Sequence, residues 1–189
     1  SSTSKVSILD NDIEDFSYMG MYLYGQYSNY TEYDLKGNTI TNNPSGYSYP
    51  YGIYCYFSRS GTEITGNFIS LDAASGGYGL LVNYSYGTSS TPNLVNNNIV
   101  IFPDQNDPYN QYGLQASYNY YTEINHNTIS VSNSYSNTFG AYLYYSSSSY
   151  VGNEFRNNII STKSSLLIAS ISSLDFNLSP SISSFSFCW

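Results

Sequence analysis

Gly52-Ile53-Tyr54-Cys55, followed by Ile64-Thr65-Gly66-Asn67-Phe68-Ile69, is one complete copy of a pattern that runs through most of this chain. Its second half is an apolar residue, two spacers, an asparagine, one spacer and another apolar residue. That phrase returns as Ile8-Asn11-Ile13, Leu35-Asn38-Ile40, Ile64-Asn67-Ile69, Leu94-Asn97-Ile99, Ile124-Asn127-Ile129 and Phe155-Asn158-Ile160. Its successive asparagines are 27, 29, 30, 30 and 31 residues apart. A period in this range marks units that stack on one another instead of folding alone.

The first half is a glycine, then apolar, exposed, apolar. It recurs as Gly20-Met21-Tyr22-Leu23, Gly79-Leu80-Leu81-Val82, Gly113-Leu114-Gln115-Ala116 and Gly140-Ala141-Tyr142-Leu143, and without its glycine as Ser165-Leu166-Leu167-Ile168. Such alternation is a strand with one buried face, and the glycine fits a bend that a side chain would obstruct. The asparagine phrase reads as strand, corner, strand. Before each asparagine stands Asp10, Gly37, Gly66, Asn96, His126 or Asn157, types that tolerate the left-handed backbone of a sharp corner. No segment keeps a helical apolar period.

Three short strands and three corners per repeat make one turn of a parallel solenoid. The expectation is an all-β, right-handed parallel β-helix of about six coils over residues 1–169, with 170–189 as an irregular cap or connector. Equivalent residues would stack about 4.8 Å apart. Asn11, Asn38, Asn67, Asn97, Asn127 and Asn158 would then form a ladder of side-chain amides, each donating to the carbonyl of the next.

Composition narrows the function classes. Of 189 residues only 10% are charged, with 13 acids against 5 bases, which argues against nucleic-acid binding. No apolar run reaches the length of a membrane span. Two cysteines make no disulfide framework; Cys55 reads as a small buried hydrophobe. Tyrosine is the outlier, with 24 copies. Sequons at Asn29, Asn83 and Asn177 are candidate glycosylation sites, although such triplets arise by chance in a chain this rich in Asn and Ser.

The two phrases resemble the right-handed parallel β-helix repeat family, the pectin-lyase-like solenoids, over residues 6–169. Members of that family include polysaccharide lyases and hydrolases, epimerases, tailspikes and surface proteins. The resemblance therefore speaks for fold and leaves activity to the site. Pectin hydrolases of this type carry Asn-Thr-Asp where this chain has Asn38-Thr39-Ile40 and Asn127-Thr128-Ile129, so the acid is missing. His126 falls in the corner column and reads as a turn residue. Arg59 and Arg156 lie in different columns, with no obvious acid partner.

Two surface columns remain. Ser7, Asp34, Glu63, Asn93, Glu123 and Glu154 precede the asparagine phrases and would stack outward. They read as a solvated edge, or, more sharply, as a cation stripe in which Ca²⁺ bridges Glu123 and Glu154. Asp10, Asp12, Glu14 and Asp15 are dense in acid but lack the glycine and distal glutamate of a calcium loop. Tyr22, Tyr54 and Tyr142, with Tyr24, Tyr56 and Tyr144, occupy exposed strand places. They suit ladder stabilisation, assembly or sugar binding.

These features lead to an expectation of a non-catalytic, structural solenoid of the cell surface or extracellular space, needing no cofactor and assembling with itself end to end or laterally. The alternatives are a polysaccharide lyase or hydrolase and a glycan-binding adhesin of the same fold.

Overall fold

The computed structural model describes residues 4–26, 31–42, 49–72, 76–103, 109–133, 138–144 and 150–163, and the backbone alone of 165–169, 174–177 and 186–188. Among them every regular element is a strand. The first coil is β1 (Lys5–Leu9), β2 (Asp12–Ile13) and β3 (Met19–Tyr24); the second is β4 (Glu32–Lys36), β5 (Thr39–Asn42) and β6 (Tyr51–Tyr56). The third is β7 (Glu63–Thr65), β8 (Phe68–Leu71) and β9 (Gly77–Asn83), and the fourth β10 (Asn93–Asn96), β11 (Ile99–Phe102) and β12 (Gln111–Ser117). The fifth is β13 (Thr122–Asn125), β14 (Thr128–Val131) and β15 (Phe139–Tyr144). The sixth is β16 (Asn153–Arg156), β17 (Ile159–Thr162) and β18 (Ser165–Ala169), followed by β19 (Leu174–Asn177) and β20 (Ser186–Cys188).

Corresponding strands of successive coils pair in parallel, giving three sheets of 7, 6 and 7 strands. The sheets run β1-β4-β7-β10-β13-β16-β19, β2-β5-β8-β11-β14-β17 and β3-β6-β9-β12-β15-β18-β20, called here the first, second and third walls. Past residue 169 the walls continue: β19 pairs with β16 and β20 with β18.

The interior is the apolar set that the repeat defines. Leu35, Ile64, Val95, Ile124 and Phe155 line the first wall, and Ile40, Ile69, Val100, Ile129 and Ile160 the second. Ile53 with Cys55, Leu80 with Val82, Leu114 with Ala116 and Ala141 with Leu143 line the third. Each such Leu or Ile, buried among its equivalents on neighbouring coils, contributes about 1.5–3 kcal/mol of hydrophobic free energy.

The fourth repeat departs from the expected register by one residue. Val95 pairs with Ile64 and Ile124, and Val100 with Ile69 and Ile129, whereas Ile99 is 41% exposed. The phrase in this coil is therefore Val95-Asn98-Val100, not Leu94-Asn97-Ile99. Asn97, with φ 56°, is the left-handed corner residue, matching Asp10, Gly37, Gly66, His126 and Asn157 in the other coils. Leu94, not Asn93, shares the outward column with Glu63 and Glu123. Proline explains the choice. Five residues before Asn67, Asn98, Asn127 and Asn158 stand the buried Thr62, Asn93, Thr122 and Asn153, and the first three donate their backbone N–H to a neighbouring coil. The expected register would put Pro92 there, with no N–H to give.

The glycine column also has a different cause. None of Gly20, Gly52, Gly79, Gly113 and Gly140 has a left-handed φ. A Cβ at each would instead run into the branched methyl of Ile40, Ile69, Val100, Ile129 or Ile160, so the walls meet here at backbone distance. In the sixth coil, which has no glycine, the pairing of β15 with β18 shifts register between Phe139 and Tyr142.

Candidate functional site

The corner between the first and second walls holds the asparagine ladder. In each rung the backbone N–H and Nδ2 of one asparagine both donate to Oδ1 of the next, at 2.9–3.1 Å, through Asn11, Asn38, Asn67, Asn98, Asn127 and Asn158. Nδ2 of Asn38, Asn67, Asn98, Asn127 and Asn158 also donates to the backbone carbonyl of Ile8, Leu35, Ile64, Val95 and Ile124. The buried amides are thus satisfied from both axial directions, which keeps a polar stripe inside an apolar tube.

A second polar corner, between the third and first walls, escaped the sequence reading. Ser58 and Ser85 share a hydroxyl hydrogen bond of 2.7 Å, the Ser85 N–H donates to Asn119 Oδ1, and Asn93 Nδ2 donates to Ser85 Oγ at 2.6 Å. Asn119 and Asn153 close it by donating Nδ2 to the carbonyls of Val82 and Asn119. Its signal was present in the recurring aromatic–polar pairs Phe57-Ser58, Tyr84-Ser85 and Tyr118-Asn119. All three aromatics adopt left-handed backbone, φ 56°, 52° and 57°. That costs each bulky residue about 1–2 kcal/mol, offset by ring contacts: Phe57 lies tilted 5.2 Å from Tyr84, and Tyr84 stacks 4.8 Å from Tyr118.

The third wall carries the tyrosines outside. Tyr22 pairs with Tyr54 and Tyr24 with Tyr56, but the columns then pass through Leu81 and Gln115, and through Asn83 and Ser117, before Tyr142 and Tyr144. The six anticipated tyrosines are therefore two groups, joined by columns the reading missed. Tyr51, Tyr78 and Tyr112 stack at 5.0 and 4.6 Å just before the glycines, and the corner aromatics form the other bridge. A closed circuit results: Tyr51, Tyr78, Tyr112, Tyr142, Tyr144, Tyr118, Tyr84, Tyr56, Tyr54 and back, with ring centroids 4.6–6.4 Å apart at every step. Burial among other rings pushes the Tyr49 and Tyr56 phenols up to about 12, and Tyr78 is raised further for the same reason.

The ion pairs among the described residues lie on the first wall. Lys36 bridges Asp34 (2.8 Å) and Glu63 (2.5 Å), and Lys5 meets Glu32 (2.9 Å) and Asp34 (3.7 Å). Glu123 and Glu154 are paired neighbours, as expected. Arg156 is not without a partner: its guanidinium contacts Glu154 at 3.3 Å, within reach because both side chains leave the same strand face. Among the described residues no three His, Cys, Asp or Glu side chains gather to hold a metal ion. His126 occupies its corner with φ 57°.

Of the sequons, Asn83 lies within β9, half-buried, with an Oδ1 that has no hydrogen-bond partner, and its Ser85 hydroxyl is engaged in the inner corner. Asn29 and the side chain of Asn177 lie outside the described residues. Among the described residues no helix is long and apolar enough to cross a membrane. Comparison with protein families, with curated proteins and with solved structures finds nothing that matches this chain.

Proposed function

We propose that this chain is a structural β-solenoid segment of an extracellular or cell-surface assembly, a rod extended end to end and not a catalyst. The observation that carries the reading is the polarity of the ladder. In every rung the donors of one coil meet the acceptor of the following coil, so the two axial faces of any coil are unlike and complementary. A contact of unlike faces is heterologous and propagates along an axis. The coil laid against Asn11 would bring an N–H and an amide to its Oδ1, whether it came from further chain or from a second copy. Six such coils make a rod about 30 Å long.

Two features weigh against the alternatives. The first-wall acids at Asp34, Glu63 and Glu154 are engaged with lysine or arginine, which leaves no poised acid–base pair among them. Many tyrosine faces are covered by neighbouring rings, as in Tyr24–Tyr56 at 5.3 Å and 4°, so a sugar ring would meet edges and hydroxyls more than open platforms.

Sedimentation over a wide concentration range, with negative-stain microscopy, tests the proposal; concentration-dependent rods lengthening in steps are expected. A monomer indifferent to concentration would sink self-assembly. New reducing or unsaturated ends from pectin, alginate or chondroitin would replace the reading with catalysis, and strong glycan-array binding with adhesion.

A further inference from the structure

The tyrosine circuit on the third wall has chemical consequences beyond packing. Phenols are among the most easily oxidised side chains, and here they touch ring to ring across five coils. With its branches at Tyr22, Tyr49 and Tyr150, the circuit runs from the first coil, where Tyr22 is 55% exposed, to the start of the sixth. Among the described residues, coil three meets coil four at Tyr78–Tyr112 (4.6 Å), Tyr84–Tyr118 (4.8 Å) and Tyr86–Tyr120 (5.0 Å), all within 25° of parallel. Tyr49 lies against Tyr78 and Tyr56 against Tyr84, with ring centroids 5.7 and 5.1 Å apart, so a phenol that loses an electron has a second phenol beside it.

We propose that this face is a relay for one-electron oxidants, along which oxidation entering at one phenol travels the solenoid and ends as a tyrosine–tyrosine cross-link. At entry a phenol gives one electron to the oxidant and its hydroxyl proton to solvent. At each hop the next phenol's electron and proton restore the first and leave the radical one ring further on. Two phenoxyls then form one carbon–carbon bond ortho to their oxygens. The two displaced ring hydrogens move to those oxygens, so the pair has lost two electrons and two protons in all. Hydrogen peroxide acting through a peroxidase accepts both the electrons and the protons as its O–O bond breaks, giving two waters. The relay belongs to a single solenoid and does not depend on end-to-end assembly.

The test places the oxidant at one end. Val151, 37% exposed and next to Tyr150, is replaced by Cys in a Cys188→Ser background and labelled with a ruthenium photo-oxidant; Cys55 is fully buried and stays unlabelled. After irradiation with a cobalt(III) acceptor, peptide mapping locates oxidised and cross-linked tyrosines. Products at Tyr22 and Tyr54 are expected. They should fall several-fold when Tyr112, Tyr118 and Tyr120 are all replaced by Phe, while oxidation of Tyr150 persists.

Products confined to Tyr150 and its immediate ring neighbours in the otherwise natural sequence would overturn the relay, whether or not the triple variant folds. So would first-coil products undiminished in a folded triple variant, or equal oxidation of unlabelled, isotopically marked protein in the same solution, which would show a diffusing oxidant.

Discussion

Asn98 accepts from Asn67, donates to Asn127 and donates again to the Ile64 carbonyl, so its side chain is tied into the corner from both axial directions. Asn98→Leu would strand donors above it and an acceptor below, costing about 3 kcal/mol; urea unfolding checks this. Asn97→Gly, at φ 56°, should leave stability within about 0.5 kcal/mol, since glycine takes the left-handed corner without strain. Equal losses at the two positions would contradict the assigned rung. Cys55 makes a second residue-scale case. Complete burial pushes its thiol up to about 12. Thiol reagents at neutral pH should therefore leave it unmodified in native protein and label it on unfolding.

At the scale of a strand, the glycine column decides how closely the third wall approaches the second. A Cβ on Gly79 would overlap Val100 Cγ1 and lie 2.6 Å from the Gly113 carbonyl oxygen. Gly79→Ala should cost about 1–3 kcal/mol. Val100→Ala, which removes the offending methyl, should recover part of it, and a double-mutant cycle without coupling would refute this account. The outer face of the same wall predicts a pH effect. The phenols of Tyr49 and Tyr56 titrate from about 10 when unfolded to about 12 when folded. Below pH 10 they add no pH dependence. Between about 10 and 12 the unfolded chain alone loses protons, so their stabilising contribution disappears as pH rises. Phenolate absorbance should rise later in native than in urea-denatured protein; superimposable titrations would show the rings open to water.

For the whole molecule, charge and aromatic surface stand on different walls, and this segregation sets what each face meets. The ion pairs at Lys5 and Lys36 are partly exposed, so raised salt should shift the melting temperature little; a large fall would mean the network holds the first coils together. Taken alone, the chain's periodic apolar residues determined a stacked parallel solenoid, its three strands per coil and five of the six ladder rungs, because side-chain alternation and left-handed corner residues are local properties. Asn96, Asn97 and Asn98, flanked by apolar residues in both alternations, satisfied two registers equally by type. Packing against Ile69 and Ile129, together with the backbone N–H that Pro92 lacks, chose between them. The tyrosines were legible as a composition and as two columns. Their union into one circuit and the Ser58–Ser85 corner join residues on different coils, and only axial stacking in the folded chain brings such partners within reach.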